Sequence, residues 1–205
     1  MARTTSDTID KGRIEAFSDG VIAIAITLLV LEIHVPAANA HHGLGYELAH
    51  QWPQYVAYVV SFLTIGIIWI NHHAMLGRLV AVDHAVLVLN LLLLMSIGLL
   101  PWSTDLMASY LTHREGARLA AAVFGASLLV MALLFFAFQH GVLSKQHLLD
   151  ERITPAVRER ILRRNAFGLL PYAASVAAAP ISPYLTLGIT GAVAVFYALP
   201  TTTSE

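Results

Sequence analysis

Long apolar runs, each about the length of a membrane crossing, alternate with short polar stretches along this chain. A hydrocarbon core of about 30 Å needs roughly 20 helical residues, and six stretches reach or approach that length. They run about 13–35, 52–76, 82–101, 116–139, 163–180 and 183–200. The first ends at Pro36 and the third at Pro101-Trp102. The second carries Trp52, Tyr55 and Tyr58 at its start and Trp69 toward its end, where aromatic rings favour the membrane interfaces. The last two are short and rich in Ala, Gly and Pro, and small residues let helices pack closely. The pattern predicts an all-α membrane protein: one domain over 1–205 with six transmembrane helices per subunit. The first run can also be read as a signal peptide, with Lys11 and Arg13 before it and Ala38-Asn39-Ala40 resembling a cleavage site. Asp19, placed near the start of the run, is foreign to a signal core and favours a transmembrane helix.

Charge sets an orientation on that pattern. With six spans both termini lie on one side, together with Arg3, Lys11, Arg13, Arg78, Lys145, Arg152, Arg158, Arg160, Arg163 and Arg164. The other side holds Arg114 and Arg118. An excess of ten basic residues to two marks the cytoplasmic side, so both termini are predicted cytoplasmic. The sizeable polar segment at 140–164 reads either as a short amphipathic helix lying on anionic lipid or as a solvated loop. Composition agrees with a bilayer protein. Hydrophobic residues make up 57%, charged residues 12%, and mean hydropathy is +0.68, against about 25% charged in soluble domains. A net charge of −1 offers no basic surface for nucleic acid. The chain has no cysteine, which removes disulfides, thiolate catalysis and cysteine-bound metal.

Candidate chemistry concentrates in the first span. Arg13, Glu15, Ser18 and Asp19 place polar groups at its cytoplasmic end, where ionisable residues are costly and tend to be paired. Beyond them, at 100° per residue, Leu28 falls at roughly +40° from Ile24, Leu31 at roughly −20° and Thr27 at roughly −60°. Ile24, Leu28 and Leu31 form one stripe with Thr27 beside it, while Asp19 lies roughly 140° away. If copies of the stripe surround an axis, they form stacked apolar rings that gate by narrowing and dewetting. Asp19 then faces helices of its own subunit, where His72 or His73 is the expected partner in a charge-assisted bond. Other constellations are weak. Adjacent His72 and His73 point about 100° apart, His41-His42 sit in a loop, and no HExxH-type spacing exists, so no metal site is expected. No nucleophile elbow or phosphate-binding glycine loop suggests an enzyme. Gly43-Leu44-Gly45-Tyr46 lacks the flanking residues of a carbonyl-lined potassium filter. A proton-coupled secondary transporter is the alternative, although such proteins place ionisable groups at mid-membrane on broken helices.

The run Arg13-x-x-x-Phe17-Ser18-Asp19 resembles the signature of the transmembrane protein 175 family of potassium channels, in particular its bacterial members. Trp69, Asn71, His72 and His73 at the end of the second span resemble that family's Trp/Asn/His cluster, and Asn90 and Pro101 also fit. The resemblance implies a homotetramer of six-span subunits in a bacterial cell membrane, with the first helix of each lining a central pore. It implies modest selectivity for K+ over Na+, no cofactor beyond the permeant K+ ions, and lipid and further copies of the chain as partners. It places the constriction at Ile24, Leu28 and Leu31 and a hydroxyl layer at Thr27. The signature residues Arg13, Phe17, Ser18 and Asp19 would tie the first helix to the second and third through Trp69, Asn71, His72, His73 and Asn90. One position departs: relatives often carry a His two residues after Asn90, where this chain has Leu92.

Overall fold

The computed structural model describes residues 11–37, 43–150 and 153–199. Within them the chain forms eight α-helices: α1 (Lys11–Leu28), α2 (Leu44–His50), α3 (Trp52–Leu76), α4 (His84–Gly98), α5 (Leu100–Tyr110), α6 (Ala117–Leu143), α7 (Pro155–Ala178) and α8 (Pro183–Ala198). No strand occurs among the described residues beyond an isolated antiparallel bridge between Leu79 and Leu149. Four helical stretches are long and apolar enough to cross a membrane: Lys11–Glu32, Trp52–Leu76, His84–Tyr110 and Ala117–Leu143. A protein with these helices belongs in a bilayer, where backbone groups must be satisfied within each segment.

The centre of the bundle is α6, which packs against α4, α5, α7 and α8. Its Phe124, Leu128, Met131 and Phe138 are wholly buried. At Gly125 a Cβ would lie 3.3 Å from Ser175 Oγ and 3.4 Å from a Val176 methyl, so the absent side chain is what lets α7 come this close. Thr186 Oγ1 then donates to the Ser175 carbonyl at 3.0 Å and links α8 to α7. The turn into α6 bends at Gly116, whose φ of +84° suits glycine and whose position lies over the Tyr110 ring. Helix α1 packs on α3 and α4 at the flank of this bundle.

Three boundaries differ from the sequence reading. The first helix does not run regularly to 35: after Leu28 it tightens into a 3₁₀ turn, Leu29–Glu32, and then becomes extended. The third span does not stop at Pro101. The chain turns briefly at Leu99 and resumes as α5, because proline in the first turn of a helix lacks only an N–H that would be unbonded anyway. Ser103 and Thr104 hydroxyls donate to the Leu100 carbonyl at 3.1 and 2.7 Å there. The 140–164 segment is neither a separate amphipathic helix nor a plain loop. Its described parts are the end of α6, a 3₁₀ turn at Gln146–Leu148 and the first turns of α7. Thr154 caps α7 by accepting from Val157 N at 3.4 Å, with Pro155 at its first position.

Candidate functional site

Helix α1 has two unlike faces. Ile14, Ser18, Ile22 and Ala25 are buried, and Leu29 continues that line into the 3₁₀ turn. This i, i+3/i+4 spacing seats one side of the helix on α3 and α4. Among the described residues the opposite side has no partner. Ile24 is 60% exposed, Leu28 41% and Leu31 67%, and Arg13, Phe17, Gly20 and Thr27 are exposed along the same stripe. The 3₁₀ turn changes the phase at the far end: residues three apart eclipse one another in that geometry, so Leu31 stands over Leu28. Thr27 Oγ1 lies 2.9 Å from the carbonyls of both Ala23 and Ile24. Its proton is therefore used inside the helix, and the hydroxyl offers its surroundings an acceptor.

Behind the buried face, one amide joins three helices. Asn90 of α4 donates from Nδ2 to Ser18 Oγ at 2.9 Å and accepts on Oδ1 from His72 Nε2 at 2.7 Å. Ser18 and His72 are wholly buried and Asn90 nearly so. Since Nε2 donates, Nδ1 carries the lone pair of the neutral imidazole, and it has no hydrogen-bond partner among the described residues. The His72 ring stacks on Phe138 of α6 at a centroid distance of 5.3 Å, which carries the network on to a fourth helix.

Asp19 does not bond either histidine. Its Oδ1 accepts from Trp69 Nε1 at 2.8 Å. Trp69 stands one helical turn before His73, and the two rings pack at 6.2 Å. The long indole reaches α1, whereas His72 is committed to Asn90. Asn71 turns back on its own helix, donating from Nδ2 to the Ile67 carbonyl at 2.8 Å. Arg13 and Phe17 lie on the exposed stripe and not in this network. Of the signature residues, then, Ser18 and Asp19 meet Asn90, His72 and Trp69; His73 touches only the Trp69 ring, and Arg13, Phe17 and Asn71 stand apart.

Two linkages escaped the sequence reading. Ser61 and Thr104 hydroxyls bond at 2.7 Å between α3 and α5 in the core; paired hydroxyls have no sequence spacing that announces them. Asp83 caps α4 through Val86 N at 2.9 Å and also pairs with Lys145 beyond α6. The cap was readable as an Asp before an apolar run. Bonding to Lys145, and then to the Val86 N–H, holds the Asp83 carboxyl below its usual 3.8. No group of three or more metal-binding side chains occurs among the described residues. His41, His42 and the Ala38-Asn39-Ala40 string lie outside those residues. Gly43-Leu44-Gly45-Tyr46 leads into α2, where Tyr46 Oη pairs with His50 Nε2 at 3.1 Å.

The family described as endosomal/lysosomal potassium channel TMEM175 matches residues 13–101. A potassium channel of Streptomyces collinus is 46% identical over 189 residues, covering 92% of this chain and 91% of that protein. A potassium channel of Chamaesiphon minutus is 38% identical over 192 residues, covering 93% and 94%. The crystal structure of a lysosomal potassium-selective channel TMEM175 homologue from Chamaesiphon minutus superposes with a TM-score of 0.83 at 37% identity, covering 94% of this chain and 98% of that one.

Proposed function

Because this chain belongs to the TMEM175 family of ion channels, we propose that it forms a cation channel in a bacterial cell membrane that passes K+ in preference to Na+. Its pore is lined by α1 from several copies, four by the resemblance of the signature. The observation that carries this reading is the unpartnered stripe of α1, on which Ile24, Leu28 and Leu31 are 60%, 41% and 67% exposed while the opposite face is buried. A helix anchored on one side by a buried polar network and bare on the other is suited to line an axis. The subunit crosses the bilayer six times, with the apolar part of α7 and the shorter α8 completing the four long spans. Both termini lie on the basic, cytoplasmic side.

The mechanism follows from the side chains. Rings of Ile24, Leu28 and Leu31 around an axis exclude water when narrow and pass ions only as they widen. An ion crossing them sheds part of its hydration, which costs K+ less than Na+. Thr27, between Ile24 and Leu28, supplies oxygen acceptors to a partly stripped ion. Selectivity of this kind is modest, because no rigid cage of carbonyls replaces the hydration shell.

Purified protein in liposomes tests the proposal through passive K+ and Na+ flux, with valinomycin and a proton ionophore as controls. Wild type should pass K+ faster than Na+, and Ile24→Ala should raise the flux or erase the preference. Flux that is indifferent to Ile24 would move the constriction elsewhere on α1. Absence of passive flux, together with uptake driven by a proton gradient, would replace the channel by a proton-coupled transporter.

A further inference from the structure

Away from α1, a cavity of about 580 Å³ opens between α3, α6, α7 and α8, within the size range of small-ligand sites. Phe135, Phe136, Leu169 and Phe196 give it mainly apolar walls. Asn71, Arg164 and Asn165 bring polar groups to it near the last turns of α3 and the charged half of α7, and Tyr172 and Tyr197 also line it. The amides are engaged already, Asn71 with the Ile67 carbonyl and Asn165 with Gln139. Arg164 is not. Among the described residues the salt bridges are Lys11–Glu15 and Lys145–Asp83, and no hydrogen bond engages the guanidinium of Arg164 or of its neighbour Arg78. Burial, and then the like charge of Arg164, disfavour the charged form of Arg78. Arg164 is exposed and lines the chamber, Arg78 is near enough to feel its charge, and among the described residues neither guanidinium has a salt-bridge partner.

We propose that this cavity is a binding site for an anionic membrane phospholipid, with one acyl chain between α6, α7 and α8 and the phosphate at Arg164 and Arg78. The uncompensated arginines supply the charge complement of a phosphodiester, which a guanidinium fork can bind with two donors. The apolar walls match an acyl chain. Arg164 lines the chamber on the stretch of α7 that also carries Arg158, Arg160 and Arg163, the charge pattern that marks the headgroup level of an anionic leaflet. The site is separate from the α1 stripe, and its occupancy does not depend on which ion the channel passes.

Native mass spectrometry of the delipidated, full-length protein tests this. Phosphatidylglycerol is titrated against phosphatidylcholine with the same acyl chains. Wild type should retain phosphatidylglycerol preferentially. Arg164→Gln and Arg78→Gln should each weaken it about fivefold, the effect of one basic residue at an anionic leaflet. Gly168→Leu, which fills the chamber, should weaken both lipids alike. Arg160→Gln, an exposed charge on α7 that does not line the cavity, should leave binding unchanged. Equal retention of the two lipids by wild type would overturn the proposal. So would an Arg160→Gln loss as large as that of Arg164→Gln, which would mean diffuse attraction only. Competition by glycerol phosphate, which has no tails, would assign the arginines to a soluble anion instead. Arg78→Gln lies in the connection between α3 and α4, so it carries the test even if Arg164→Gln fails to fold.

Discussion

Asn90 is the residue on which the packing of α1 most depends. Its amide is bonded in both directions, to Ser18 and to His72, in a region where neither partner can reach water. Asn90→Ala leaves a buried hydroxyl and a buried imidazole N–H without a partner, at about 1–3 kcal/mol for each group left unsatisfied. Thermal unfolding in detergent should register that loss, whereas Leu92→Ala on the exposed side of the same helix should shift the transition far less. The pairing of Asp19 is testable in the same assay. Trp69→Phe removes the donor and should cost about 0.5–1.5 kcal/mol, while His73→Gln should leave the transition near that of wild type. The sequence offered both histidines as partners because an intramembrane carboxylate suggests a cation. An indole N–H serves without charge, and only the relative rotation of α1 and α3 decides between a ring at position 69 and one at position 73.

At the scale of elements, the bundle is closed on its basic side by two connections that hold each other. Val80 N donates to the Leu148 carbonyl at 2.9 Å and Asp150 N to the Arg78 carbonyl at 2.9 Å, beside the Asp83–Lys145 pair. A carboxyl whose folded pKa is depressed contributes stability that is present above its unfolded value and disappears as pH falls through the folded one. The contribution of Asp83 should therefore be complete above its usual 3.8 and fade on acidification below it. Asp83→Asn keeps an acceptor for the Val86 N–H but not the charge, so unfolding should depend less on pH in that variant as the medium is acidified below 3.8. Such elements were unequally legible. Helix α3 runs over the 25 residues expected of it, Trp52–Leu76, because its apolar run is bounded by aromatic rings and a glycine. The α4–α5 junction was not legible, since Pro101 reads equally as a stop or as the first turn of a new helix. The start of α7 was hidden for another reason: half of its first ten residues are charged, and hydropathy reports where a helix is buried in lipid, not where its backbone begins.

For the whole molecule, the bare stripe of α1 makes the strongest claim, since it is a surface that one copy of the chain leaves unfinished. The chain has no cysteine, so a single one reports proximity without background. Leu28→Cys should yield disulfide-linked dimers on mild oxidation in membranes, and Ile22→Cys, at a position 2% exposed, should not. Equal cross-linking at both sites would remove α1 from the axis. The other face of α1 has a consequence in time. Its polar residues find their partners only after much more chain has been made: Asp19 waits for Trp69, 50 residues later, and Ser18 for Asn90, 72 residues later. At roughly 5–20 residues per second of synthesis, α1 spends on the order of several seconds with a carboxylate and a hydroxyl unanswered. During that interval the nascent first helix is held by its apolar run alone, and the ribosome's pace sets how long the newborn subunit remains open to quality control.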